Sequence, residues 1–206
     1  MSLPTLNATV RTETGKGPNR RLRATGQVPG VIYGNGNEPL GLALNPKDVV
    51  QLLDGPLGRN AIAQISIDGA ERMAIVKGIQ VHPWKRKLIH IDFMEITDTT
   101  MLTLKVPFTR IGQSPMEKLG AKIEQHRDVL PVRCLPANIP GAIVFDMTPI
   151  TGDFVEIMAS EVTMPEGVEP LYPKDFKLIR MKLSAAPLED EDEETTDEPE
   201  GDEKKE

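Results

Sequence analysis

The sequence has little of what usually staples or fills a small core. Among its 206 residues are one Cys, one Trp, two Tyr and five Phe. A lone Cys134 excludes an internal disulfide, and a small buried hydrophobe is the reading its residue type favours. Cores must therefore be built from Val, Ile, Leu and Met. No apolar run approaches the roughly 18 residues a membrane helix needs. Met1-Ser2-Leu3-Pro4 offers neither the basic nor the apolar region of a secretion signal, so a reducing cytoplasm is the expected setting.

Catalytic signatures are missing as well. Gly15-Lys16-Gly17 lacks the spacing and the hydroxyl of a phosphate-binding P-loop. Gly34-Asn35-Gly36 lacks the third glycine and the βαβ surroundings of a dinucleotide site. Cys134, His82, His90 and His126 show no zinc-ligand spacing, and no GxSxG or Cys/His nucleophile pattern occurs. The chain is therefore not read as an enzyme, and no catalytic residue, metal, cofactor, small-molecule substrate or membrane is expected.

What the sequence does have is segregated charge and strand-like alternation. Residues 1–97 carry 12 Lys+Arg against 8 Asp+Glu, and residues 98–188 carry 10 against 11. Residues 189–206 carry 2 against 12. The net −7 thus belongs to the tail, and the N-terminal part, at +4, points to an anionic partner. Length suits two modest domains.

Strict alternation predicts a strand at Leu6–Arg11, with Leu6, Ala8 and Val10 inward. Pro18 suits the first turn of a helix that stops at Gly26, with Leu22 towards the core. Strands follow at Pro29–Tyr33 and Leu40–Leu44, separated by a loop at Gly34–Asn37. Asn45-Pro46 starts a helix that Gly55-Pro56 ends. Ala61–Ile67 and Glu71–Val76, the latter extendable to Val81, flank Asp68-Gly69, the pair that favours a type I′ hairpin. A last strand covers Leu88–Phe93. Six short strands with short helices suggest a small barrel or closed sheet. Ile96–Thr100 reads as a linker. Beyond it, short strands at Met101–Ile111, Ala121–Gln125, Val129–Leu135, Ala142–Phe145, Phe154–Met158 and Phe176–Leu183 predict a second β-rich domain. The expected class is mainly β: domains at 1–97 and 98–187, then an acidic tail, 188–206, too polar to offset the entropy of ordering.

The candidate site is a basic constellation. Arg11, Lys16, Arg20, Arg21 and Arg23 cluster around a glycine-rich loop and short helix, and Lys85, Arg86 and Lys87 precede the last strand. Guanidinium groups match phosphate bidentately, and glycines let backbone N–H groups approach it; an ordinary solvated face is the alternative. On Leu88–Phe93, period two places Ile89, Ile91 and Phe93 inward and His90 with Asp92 outward. That pair is either purely structural or a reader of RNA, since a carboxylate accepts from 2′-hydroxyls or base amino groups. Tyr33, at a strand end, is open to a core or a contact role.

These residues also carry a family pattern. Arg11…Gly15-Lys16-Gly17…Arg20-Arg21-Leu22-Arg23…Gly26…Pro29-Gly30-Val31-Ile32-Tyr33-Gly34, then Val81-His82-Pro83…Lys87…His90-Ile91-Asp92-Phe93, resembles the ribosomal protein twenty-five family of the bacterial large subunit. The two-domain length resembles its long form, the general stress protein Ctc type. The resemblance implies a six-stranded N-terminal β-barrel that binds 5S rRNA in the central protuberance. It implies Arg11, Arg23, Tyr33, His90 and Asp92 as principal RNA contacts, with Lys16, Arg20, Arg21, Gln80, Lys85 and Lys87 in support. The C-terminal domain is expected to meet neighbouring large-subunit components. Off the ribosome the chain is expected to be monomeric. An adaptor whose second domain recruits a protein is the other functional class.

Overall fold

A computed structural model describes residues 3–183 apart from 153 and 173; the acidic segment from 188 on lies outside the described residues. Six strands close into the expected barrel: β1 (Thr5–Val10), β2 (Val28–Gly34), β3 (Asn37–Leu44), β4 (Ile62–Ile67), β5 (Ala70–Val81) and β6 (Leu88–Glu95), in the spatial order β1-β3-β2-β6-β5-β4. Closure comes from parallel pairing of β1 with β4, Leu6 facing Ile65, which leaves the barrel no free edge. Leu6, Ala8, Ile32, Leu42, Ile65, Ile91 and Phe93 fill the interior, while Val10, the third residue of the expected inward face, emerges at the strand end.

Turn chemistry sets the registers. Asp68 and Gly69 have φ of 50° and 88°, as a type I′ turn requires. The segment read as a loop between β2 and β3 is a second such hairpin. Asn35 and Gly36, at 51° and 74°, form its two-residue turn, and pairing runs out to Gly34 opposite Asn37. Asn tolerates the left-handed region, so the loop shortens to a turn.

Helix α2 (Pro46–Leu53) starts as expected: the Asn45 side chain accepts from the Lys47 N–H at 3.1 Å, and Val49 and Leu52 seal the barrel core. Helix α1 (Lys16–Ala24) differs. It buries no residue, and Leu22, expected to face the core, is only half-buried. The helix lies outside the closed barrel, tied to it by the Arg11–Asn19 bond, with Pro18 and Leu22 only partly covered.

A second difference falls on β6. The register slips between Gln80 and Val81, so Leu88 pairs with Val81 and Ile89 is left over. This bulge reverses the side-chain alternation. Leu88 packs against the core in place of Ile89, while Ile91 and Phe93 point inward as expected.

The second part is β-rich, as the alternation predicted. β7 (Leu102–Ile111), β9 (Val129–Cys134), β10 (Ile143–Asp146) and β12 (Val168–Pro170) form one sheet, and β8 (Ala121–Gln125), β11 (Phe154–Met158) and β13 (Lys177–Leu183) another. β12, three residues ending in Pro170, is too short to show alternation. A four-residue helix, α3 (Pro115–Lys118), precedes β8 and is capped by Ser114, whose side chain accepts from the Met116 N–H. Cys134 is fully buried, and desolvation pushes its thiol pKa up, so it behaves as the expected small hydrophobe.

Between barrel and sheets there is no free linker. Ile96 is buried, and Thr97–Thr100 is a closed turn, with the Thr100 N–H bonded to the Thr97 carbonyl at 3.0 Å. Ile62 and Ile75, a cross-strand pair on the barrel's outer face, join Ile96 in the same buried cluster as Leu102, Val106 and Leu130. The Asn60 side chain donates to the Lys105 carbonyl across this seam at 3.0 Å. Truncating a buried Ile to Ala typically costs about 2–5 kcal/mol. Ile75→Ala should therefore destabilise the full chain by that amount in urea unfolding, with barrel and sheets still melting together. A loss below about 1 kcal/mol would show an unpacked seam.

Candidate nucleic-acid interface

Strand pairing gathers the outward residues of three strands into one patch. His90 lies opposite Gln80 and Asp92 opposite Gly78 on β5, while Asp92 pairs on its other side with Val31 on β2. Tyr33 is half-buried at the end of β2, where the pairing with β3 is irregular, and lies opposite Met94 of β6. Gln80, His90 and Asp92 thus sit together, with Tyr33 two positions beyond Val31 along β2.

His90 Nδ1 lies 2.7 Å from Asp92 Oδ1. The contact is a short nitrogen–oxygen approach, ionic when the ring is protonated, rather than an aligned hydrogen bond. Nε2 is left as the ring's free nitrogen: an acceptor when the ring is neutral, a donor when it is charged. The pair is partly exposed, at 22% and 33% of its side-chain surfaces. Asp92 holds this position because its neighbour on β5 is Gly78. A Cβ there would sit 2.8 Å from Asp92 Oδ2. Sequence reasoning missed Gly78, although a glycine inside a strand does signal close approach.

The cations divide into two kinds. Arg11 is used internally. Its Nε donates to the Leu42 carbonyl at 3.1 Å, Nη1 to Asn19 Oδ1 at 2.6 Å and to the Glu13 carbonyl at 3.3 Å, and Nη2 to the Gly30 carbonyl at 3.4 Å. Four of the five guanidinium N–H groups are therefore occupied, tying β1 to β2, β3 and α1. Gly41 makes room for it, since a Cβ there would press on Arg11 Cγ at 3.1 Å. The others face solvent. Lys16 and Arg20 are exposed and make no side-chain bond among the described residues. Arg21 meets Glu13 at 3.1 Å in an exposed pair of the kind that holds weakly. Arg23 reaches the Ile89 carbonyl at 3.5 Å, which places it beside the start of the polar face of β6. The first turn of α1 contains Lys16, no acidic residue and no side-chain cap, an arrangement that favours an anion arriving from outside.

Lys85, Arg86 and Lys87 form the return of the turn between β5 and β6. With Arg23 and Lys47 they line a groove of about 870 Å³ whose walls include Val28, Val50 and Ile89. The turn is closed by His82 N–H to the Lys87 carbonyl at 2.8 Å and Arg86 N–H to the His82 carbonyl at 2.9 Å.

Comparison with known proteins gives concordant matches. Residues 6–93 match the Ribosomal L25p family, and residues 101–184 match Ribosomal protein TL5, C-terminal domain. Large ribosomal subunit protein bL25 of Sorangium cellulosum is 33% identical over 194 residues, covering 92% of this chain and 84% of the relative. Its counterpart in Neisseria gonorrhoeae is 34% identical over 168 residues, 80% of this chain and 87% of its own. That of Syntrophotalea carbinolica is 32% identical over 194 residues, 93% and 92%.

The site's geometry is testable by itself. Gly78→Ala should drive Asp92 off its position and break the contact with His90, while the fold survives, because only the end of a flexible side chain must move. The His90 ring signals in 15N NMR should shift, with circular dichroism unchanged. Unaltered ring signals would show that Gly78 does not position Asp92.

Proposed function

Because the chain belongs to the ribosomal L25p family, in the long form with a TL5-type C-terminal domain, we propose that it docks on 5S rRNA in the central protuberance through β2, β5, β6 and α1. It is a structural, non-enzymatic protein of the large ribosomal subunit. Residues 1–97 are the RNA-binding part in this reading, and 98–187 meet neighbouring ribosomal components. Off the cytoplasmic ribosome the chain is a monomer.

The observation that carries the reading is the His90–Asp92 pair, partly exposed on β6, with Arg23 at the neighbouring Ile89 carbonyl and Lys85 and Lys87 in the turn that leads into the strand. A carboxylate repels phosphate, so its place among cations calls for a partner offering donors as well as charge. An RNA minor groove offers 2′-hydroxyls and base amino groups beside its phosphates. Asp92 accepts from those, His90 Nε2 supplies a second polar contact, and Gln80 and Tyr33 extend the face. Lys16, Arg20, Arg21, Arg23, Lys85 and Lys87 take phosphates, giving affinity without sequence choice. Arg11 acts differently from the other cations: it positions α1 through Asn19 and does not reach for phosphate.

Two measurements on the full chain test this. Binding to 5S rRNA should weaken steeply with salt, and Arg23→Ala should flatten the log–log slope by roughly 0.7–0.9. A slope near zero would remove the electrostatic part. Losing a charge-assisted hydrogen bond costs about 1.5–3 kcal/mol, or roughly 10- to 150-fold in affinity. Asp92→Ala should lose that much on 5S rRNA and nothing on generic duplex RNA, whereas Arg23→Ala should weaken both. Undiminished 5S rRNA affinity in a folded Asp92→Ala chain would take Asp92 out of the site.

A further inference from the structure

The side chain of Trp84, the sole tryptophan, sits at the apex of the β5–β6 turn with 91% of its surface exposed. Large aromatics ordinarily bury their area, and nothing in the barrel fold requires one here. Nor is the apex loose. Besides the two backbone bonds that close the turn, the Lys85 N–H donates to His82 Nδ1 at 3.4 Å, and Arg86 takes the left-handed conformation, φ 49°, that turns the chain back. The indole is thus carried outward on a braced loop.

The residues immediately after Trp84 line the groove. Five cations (Arg23, Lys47, Lys85, Arg86, Lys87) stand around it against one acid, Asp54, over the apolar surface of Val28, Val50 and Ile89. A paired RNA stem needs the cations but has no use for an apolar floor or a projecting ring. An unpaired nucleotide uses the ring as well as the cations, since its base is a flat apolar face joined to phosphate. We infer that Trp84 and the groove beside it hold an unpaired nucleotide of RNA, the base stacked on the indole and the adjoining phosphates on Lys85, Arg86 and Lys87. This rests on the chain being an RNA-binding protein and adds a contact that the paired stem facing His90 and Asp92 does not supply. A protein partner would have to present acidic groups around an apolar residue, which the charge of the groove alone does not favour over RNA.

As the only tryptophan, Trp84 reports on itself. Full-length chain titrated with 5S rRNA should show quenched indole emission and an acrylamide quenching constant lowered several-fold at saturation. Duplex RNA without unpaired bases should do neither, even where it binds. Stacking on an aromatic is strong enough that Trp84→Ala should weaken 5S rRNA binding about 5- to 150-fold, with Trp84→Phe restoring most of it. If the wild-type chain binds 5S rRNA but emission, acrylamide access and the Trp84→Ala affinity are all unchanged, the inference fails and the RNA-binding reading stands. Equal shielding by duplex RNA would overturn the unpaired-nucleotide assignment. Shielding that appears only with assembled large subunits, and not with 5S rRNA, would assign the indole to a different partner and overturn it too. No binding to 5S rRNA at all would remove the proposed function and this inference together.

Discussion

Everything that qualifies the barrel as a docking surface depends on which way β6 faces. Ile91 and Phe93 are sealed in the interior, and with a side-chain period of two, a slip of one residue would carry His90 and Asp92 inside. Such a slip would bury a carboxylate among Ile and Leu at prohibitive desolvation cost. The hydrophobic core therefore fixes the polar face. Closure of the sheet reinforces this, because β6 is paired on both sides, parallel to β2 and antiparallel to β5, and neither neighbour can shift alone. The pairing of β5 with β6 is irregular at two places, between Val76 and Gly78 opposite Asp92 and Phe93, and at Ile89 where the cationic turn begins.

The arginines show that a cluster of like charges in sequence is not one site in space. Arg11 and Arg23 are both strongly basic residues near the same loop, yet Arg11 spends its fork on Leu42, Gly30, Glu13 and Asn19, while Arg23 keeps most of its N–H groups for what comes from outside. A guanidinium surrounded by carbonyls binds structure together; one on an exposed helix face binds ligands. Helix α1, with no buried residue, would not stay against the barrel by hydrophobic packing. The bond from Arg11 to Asn19 ties α1 to the barrel, and Arg23 on the same helix reaches the Ile89 carbonyl of β6.

The same outer face that carries the polar pair also carries the seam with the second part. His90, Asp92 and Met94 alternate outward along β6, and Met94 already packs against the cluster shared with Leu102, Val106 and Leu130. Two positions of strand, roughly 7 Å, separate the partly exposed Asp92 from Met94, which is half-buried against that cluster. Ile62, Ile75 and Ile96 make the junction a continuous apolar core, so the sheets pack directly on the barrel that carries His90 and Asp92.

Much of this was legible in one dimension. Alternation in Leu6–Arg11, Ala61–Ile67 and Leu102–Phe108, the Asp68-Gly69 turn and the Asn45-Pro46 helix start are local signals, set by residues within a few positions of each other. They determined the mainly β class, both β-rich parts and the outward sense of His90 and Asp92. Tertiary structure decided what depends on distant partners. Only pairing of β5 with β6 could reveal the slip that turns Leu88 inward in place of Ile89, or set Gly78 under Asp92. Only barrel closure could bring the Leu42 and Gly30 carbonyls to Arg11 and so set it apart from the exposed Lys16, Arg20 and Arg23. And Ile62 and Ile75, which alternation alone would place towards water, are covered because a second set of sheets lies against them, a contact between segments too far apart in the chain for any local pattern to encode.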